Sequence, residues 1–190
     1  MYRNCIKRIL DFCIAFCALS FLWPILLVIT IFLHFANKGA GAFFTQERPG
    51  KNAKIFRVIK YKTMTDERDA EGKLLPDAQR LTKIGKIVRS LSIDELPQFF
   101  NVLKGDMSVV GPRPERPYFV EQFKETIPKY MVKHQVKPGL TGWAQIHGCR
   151  GDTSITKRIK YDIEYVENWH LGLGLAIMIK TAVKKNPNAY

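Results

Sequence analysis

Hydrophobic positions are distributed very unevenly along this chain. From residue 12 to 36 it reads FCIAFCALSFLWPILLVITIFLHFA, 25 residues without one Asp, Glu, Lys or Arg. As a straight helix at about 1.5 Å per residue the run would reach roughly 37 Å, more than the ~30 Å of bilayer hydrocarbon. A cleavable signal peptide carries an apolar stretch of about 7–15 residues ending at a small-residue cleavage site. This run is longer and keeps bulky residues to its end. A core helix of such length is unusual, so the segment reads as membrane-inserted. Pro24 lies at its midpoint, where the missing N–H and the ring kink or break a helix. Two halves of about twelve residues are each too short to span, and they suit a re-entrant helix-break-helix dipping into one leaflet. Arg3, Lys7 and Arg8 precede the run, and Lys38, Arg48, Lys51, Lys54 and Arg57 follow it. The positive-inside bias therefore places both ends on the cytoplasmic side. A single kinked span is the alternative, because proline is tolerated in membrane helices.

Beyond residue 38 the patterning becomes that of a folded domain. Residues 42–46 and 54–62 predict a small β-hairpin around ERPGKNA, whose Pro-Gly is a turn signal. Residues 66–79 are charged and polar and read as a loop; residues 82–89 predict a short helix, and 92–103 a second one ending at Gly105. Residues 117–133 read as helical with an interruption at Pro128, and 137–142 as a glycine-rich loop. Ile155, Ile159, Ile163 and Val166 form one helical stripe, with Arg158/Asp162 and Lys160/Glu164 spaced for ion pairs. Residues 171–179 are apolar but too short to span, and suit an interfacial helix or a core one. The expected class is α+β and mostly helical. A membrane-inserted re-entrant helix (1–38) and a small β-hairpin join interfacial amphipathic helices around a compact domain (39–190), as one continuous unit.

Composition narrows the partners. The 190 residues include 30 Lys+Arg against 17 Asp+Glu, a net charge of +13, and 46% are hydrophobic. Such a chain is too apolar to be disordered. Four cysteines, at 5, 13, 17 and 149, make no disulfide framework, and none has zinc-ligand spacing. Cys13 and Cys17 read as small apolar fillers. Without residues 1–38 the charge is still +10, so the basic excess belongs to the domain. Its partner should be nucleic acid, an anionic membrane or a phosphorylated substrate. The basic residues are dispersed and no nucleic-acid-binding motif is present, so nucleic acid drops out.

Chemistry concentrates in residues 89–117, RSLSIDELPQFFNVLKGDMSVVGPRPERP. Ser92 and Glu95 match a capping box, and on the blandest reading Asp94 and Glu95 only complement a helix dipole. A helix N-terminus is also a phosphate site. Two carboxylates beside a phosphate require a divalent cation, for which Mg²⁺ held by Asp94 and Glu95 is the natural choice. Arg89, Arg113 and Arg116 offer bidentate donors to phosphate oxygens, the latter two on a loop stiffened by Pro112, Pro114 and Pro117. Together these describe phosphoryl transfer, with an aspartyl phosphate as one route.

From residue 5 to the C-terminus the chain resembles the bacterial monotopic phosphoglycosyl transferases, the polyprenol-phosphate sugar-1-phosphate transferase family. The resemblance rests on the apolar segment with its central proline, FFTQERPGKNAKIFRVIKYKTM, SIDELPQFFNVLKGDMSVVGPRPE, VKPGLTGWAQIHG and the closing NAY. It implies that Asp94 attacks the β-phosphorus of a UDP-sugar, releasing UMP, and that polyprenol phosphate then accepts the sugar-1-phosphate. Glu95 would match the second acidic residue, associated with Mg²⁺. Pro112, Arg113 and Pro114 would match a nucleotide-proximal element. Lys60, Lys62, Arg89 and Arg150 would be further substrate-binding residues, although Tyr61 and Lys62 replace Phe and Arg of the family pattern. His147 and Cys149 also depart from it, and neither is assigned a role. The resemblance further implies a re-entrant helix broken at Pro24, the cytoplasmic face of a bacterial inner membrane, and a step in exopolysaccharide or capsule assembly. Larger relatives carry a further multi-span region, so the chain is expected to be a minimal enzyme or a catalytic domain. The competing class is a catalytically silent, membrane-anchored scaffold for anionic lipid.

Overall fold

The computed structural model describes residues 5–149 and 153–183; Arg150 and the closing NAY lie outside them. Helix α1 (Ile6–Ala36) is one uninterrupted element that runs through Pro24. The expected break at Pro24 does not show as an interruption of the helix: proline forfeits one N–H bond to the residue four before it, and helical backbone continues on both sides. Ala15 packs into the main core, and Leu19, Leu22, Leu26, Ile29 and Leu33 form a stripe on a second cluster with Ala42, Tyr61 and Val88. Spacings of three and four residues keep this stripe on one helical face. The opposite face stays open, with Phe21 82% and Phe35 75% exposed.

A hairpin of β1 (Phe43–Pro49) and β2 (Ile55–Tyr61) follows, antiparallel with Phe43 opposite Tyr61 and Pro49 opposite Ile55. A 3-10 turn over Lys51–Ala53 joins them. Within residues 66–79 the chain forms one isolated bridge, Arg68 with Leu74, and the start of α2 (Asp77–Arg80), and a second bridge, Met64 with Leu81, closes the segment from outside. In α3 (Lys83–Ser90) the Thr82 hydroxyl accepts from the Gly85 N–H at 2.9 Å and caps the helix.

The helix expected over 92–103 is shorter. Ile93–Glu95 form a separate 3-10 turn, and α4 (Gln98–Lys104) begins only after Pro97. Ser92 takes a left-handed conformation (φ 55°) with no side-chain cap, so the capping box does not form. Pro97 has no N–H to carry one ladder across the junction. Gly105 (φ 98°) ends α4 where expected.

Strand β3 (Ser108–Val110) pairs in parallel with β4 (Gly139–Thr141), which lies in the segment read as a loop. Helix α5 (Pro117–Thr126) stops before Pro128 and a 3-10 turn follows over Tyr130–Gln135. Helices α6 (Trp143–Ile146), α7 (Ile155–Asn168) and α8 (Leu171–Val183) complete the fold. On α7, Ile159 and Val166 are buried as predicted. The local ion pairs are not the ones formed. Arg158 reaches Glu115 at 2.6 Å, and Asp162 takes Lys133 at 2.9 Å, because burial makes both face the domain interior. Helix α8 buries Gly174 and Ile177 in the core and leaves Leu175 and Ile179 exposed.

Candidate active site

Three segments converge on the carboxylate pair. Strand β2 supplies Lys60, the 3-10 turn supplies Asp94 and Glu95, and the loop after β3 supplies Arg113. Asn101 of α4 ties the first two together. Its Oδ1 accepts from the Ile59 N–H at 3.0 Å, and its Nδ2 donates to the Arg57 carbonyl at 2.7 Å. The buried amide thus satisfies the open edge of β2 and sets Lys60 against the turn.

The two carboxylates are treated differently. Glu95 Oε1 accepts from Lys60 Nζ at 2.7 Å and from Arg113 Nη2 at 2.6 Å, while Arg113 Nη1 reaches Oε2 at 3.3 Å. Burial works to raise its pKa, but the Arg113 and Lys60 charges and their hydrogen bonds prevail and hold it well below the usual carboxylate range. Arg113 is in turn pushed up, chiefly by Glu95. Asp94 makes no hydrogen bond or ion pair among the described residues. Burial first and then the Glu95 charge push its pKa up to about 6, against the pull of Lys60, Arg89 and Arg113. At neutral pH the site holds one carboxylate locked in a cationic clamp and one still open for chemistry.

Lys60, Glu95 and Arg113 border a cavity of about 390 Å³, walled also by Arg48, Glu115, Arg116, Phe119 and Arg158; Asp94 adjoins it as the sequence neighbour of Glu95 and is not itself in its wall. Five cations face two carboxylates there, a balance suited to a diphosphate. Arg48 donates to Gln46 Oε1 at 2.6 Å and to the Pro114 carbonyl at 3.3 Å. Its pKa is lowered to about 10 by burial, with Glu115 opposing and Arg113 and Arg116 adding repulsion.

Lys60, Glu95 and Arg113 are therefore brought together, and Pro114 lines the same cavity. Pro112 is buried, its carbonyl accepting from the Gly139 N–H at 3.0 Å. Arg89 lies close enough to act on Asp94, its Nε donating to Thr63 Oγ1 at 2.7 Å. Lys62 is not brought to the site: its amine pairs with Asp66 and donates to the Ala40 carbonyl at 3.0 Å. Arg48, Glu115, Phe119, Arg158 and the stapling Asn101 were missed as site residues. Arg48 and Asn101 stood inside the matched motifs, whereas Arg158 reaches the cavity only through tertiary packing.

The donor set favours Asp94 as the protein ligand of a divalent cation. Both Glu95 oxygens are engaged by Lys60 and Arg113, Oε1 by two short bonds and Oε2 by one at 3.3 Å, whereas the Asp94 carboxylate makes no such bond among the described residues. Among the described residues no group of three His, Cys, Asp or Glu side chains gathers. One carboxylate completed by substrate phosphate oxygens and water fits Mg²⁺, which is commonly held that way.

Fold and site together define a class, an α+β domain on a long apolar helix with a cationic cavity beside an open carboxylate. The family described as bacterial sugar transferase matches residues 2–186, and the chain belongs to it. It is 46% identical over 94% of its length to the uncharacterized sugar transferase EpsL of Bacillus subtilis, spanning 86% of that protein. It is 42% identical to a UDP-N-acetylgalactosamine-undecaprenyl-phosphate N-acetylgalactosaminephosphotransferase of Aeromonas hydrophila, over 93% of this chain and 42% of that protein. It is 43% identical to a UDP-glucose:undecaprenyl-phosphate glucose-1-phosphate transferase of Klebsiella pneumoniae, over 97% of this chain and 41% of that one. The chain thus spans less than half the length of the latter two relatives.

Proposed function

We propose that this chain is a phosphoglycosyl transferase that moves a sugar-1-phosphate from a UDP-sugar to polyprenol phosphate through an aspartyl intermediate. The observation that carries this reading is the asymmetry of the carboxylates: Glu95 is bound by Lys60 and Arg113, and Asp94 is left open beside the cationic cavity. An Asp94 oxygen attacks the β-phosphorus, and the bond to the bridging oxygen breaks. UMP leaves with that oxygen and its electron pair. A phosphate oxygen of the polyprenol phosphate then attacks the same phosphorus. The Asp94 acyl-phosphate bond breaks, regenerating the carboxylate and giving the polyprenol diphosphosugar. Glu95 keeps Lys60 and Arg113 aimed at the phosphoryl oxygens, and Arg48, Arg116 and Arg158 line the remaining anion space. Mg²⁺ would be held by Asp94 with the substrate diphosphate, supplying charge neutralisation that lets an anionic nucleophile approach.

The membrane reading is monotopic, on the cytoplasmic face of a bacterial inner membrane. Both ends of α1 are bonded to the same domain, which supports it. Asp11 accepts from the Val109 N–H at 3.0 Å, and Asn37 donates to the Lys62 carbonyl at 2.7 Å. A helix whose two ends are tied to one polar body favours re-entry over spanning. Exposed Ile84, Ile87 and Leu91 around α3 give it a matching interfacial face. A silent scaffold has no use for an open carboxylate against a cationic cavity. By that chemistry the enzyme serves the first membrane step of polysaccharide or glycoconjugate assembly.

The test is intact-mass analysis after incubation with a UDP-sugar and Mg²⁺ but no lipid. A covalent sugar-phosphate adduct is expected on the wild type and none on Asp94→Asn, which should also lose UMP release with polyprenol phosphate. An active Asp94→Asn enzyme would sink the nucleophile assignment.

A further inference from the structure

A second cavity, of about 260 Å³, shares no lining residue with the catalytic one. Lys7, Arg8 and Asp11 of α1, Lys51 of the hairpin turn, Lys137 and Trp169 are in its wall. Four cations face a single carboxylate. That carboxylate is already committed: Asp11 accepts from Ser108 Oγ and the Val109 N–H, each at 3.0 Å, and pairs with Lys7 at 3.1 Å. Arg8 has a structural duty as well, donating to the Val102 and Leu103 carbonyls at the end of α4. Lys51 and Lys137 have none: among the described residues neither forms an ion pair or a side-chain hydrogen bond. A Cβ on Gly105 would stand 3.3 Å from Arg8 Nη2 and 3.5 Å from Lys137 Nζ, so the two cations crowd one point. Burial, and then Arg8, Lys51 and Lys7 against the pull of Asp11, lower the Lys137 pKa.

The cavity lies at the start of the apolar helix, where Ile6, Ile9 and Phe12 are exposed. The Trp169 ring stands 5.7 Å from the Lys7 amine. Apolar surface, an aromatic ring and clustered cations at one level describe the headgroup zone of a bilayer.

We propose that this cavity is a binding site for the phosphoryl headgroup of an anionic phospholipid, separate from the catalytic cavity, with Lys51 and Lys137 as its unsatisfied donors. Three excess positive charges select an anionic over a zwitterionic headgroup. The site rests on the membrane reading above, but lipid retention and adduct formation on Asp94 are separate readouts, so either can fail alone.

The experiment is native mass spectrometry of the full chain in detergent, titrated with phosphatidylglycerol or phosphatidylcholine. The wild type should retain phosphatidylglycerol preferentially, and Lys51→Gln/Lys137→Gln should weaken its Kd at least tenfold. The variant Lys129→Gln/Lys157→Gln, which removes the same charge from exposed positions elsewhere, should bind as the wild type does. Equal retention of the two lipids, or an equal loss in both variants, overturns the site in favour of diffuse attraction. Displacement of phosphatidylglycerol by millimolar inorganic phosphate overturns the lipid as its occupant. In the wild type, a headgroup-photoreactive phosphatidylglycerol should crosslink to the peptides carrying residues 135–137 or 165–169; crosslinks confined to other peptides overturn it too.

Discussion

Asp94 and Glu95 are neighbours in sequence with opposite electrostatic fates, and this difference is measurable. In the proposed mechanism the ionised form of Asp94 is the nucleophile, and its pKa is pushed up to about 6. Activity should therefore rise with pH through about 6, read as kcat/KM for UMP release, which reports the free enzyme. Glu95→Gln removes the second-largest cause of that upward shift and frees Lys60 and Arg113 to act on Asp94. The acid limb should move to lower pH while the rate falls by roughly 10²-fold, the usual loss for a preorganised electrostatic contact. A limb that stays in place or moves upward refutes the clamp. The identity of these residues and, through the family resemblance, their expected roles were legible in the motif, but the cationic clamp on Glu95 was not. Adjacent carboxylates look alike in a sequence, and which one the cations reach depends on Lys60 and Arg113, 35 and 18 positions away.

At the scale of elements, the parallel pair β3–β4 holds the arginine loop through close backbone contact. A Cβ on Gly139 would lie 2.1 Å from the Gly111 nitrogen and 2.5 Å from the Thr141 carbonyl oxygen. Gly139→Ala must push the strands apart, at a cost of about 1–3 kcal/mol as for other overpacked sites. It should also lower kcat through displacement of Arg113, with thermal unfolding and UMP release as the two measurements. The ion pair between Lys133 on its 3-10 turn and Asp162 on α7 is almost wholly buried, at 3% and 1% exposure. Asp162→Leu leaves a buried unpaired lysine and should cost about 3–5 kcal/mol in chemical denaturation, whereas adding Lys133→Met should recover most of it. A double variant as unstable as the single one contradicts this account. Long elements with strong periodicity were readable: the hairpin, α3 and the stripe of α7 lie where the pattern put them. Strands β3 and β4, three residues each, carry no periodic signal, and the ion-pair spacing along α7 misled because burial outweighs i,i+4 proximity.

For the whole molecule, the arrangement of α1 on the domain predicts that both ends of the apolar segment face one side. With Cys13, Cys17 and Cys149 replaced, native Cys5 and an Ala70→Cys substitution should both react with an impermeant thiol reagent from the cytoplasmic side only. Labels on opposite sides would establish a single span. The sequence by itself determined that a charge-free apolar segment adjoins a basic domain, and that Asp94, Glu95 and Arg113 fall in one short, densely charged block. Composition and local order are properties of the chain alone, so both survive without coordinates. Only the tertiary structure decided that α1 stays helical through Pro24, that Lys62 turns aside to Asp66, and that Arg48 and Arg158 enter the cavity. Those outcomes depend on which distant groups compete for the same hydrogen bonds and the same buried space, a competition that exists only once the chain has folded.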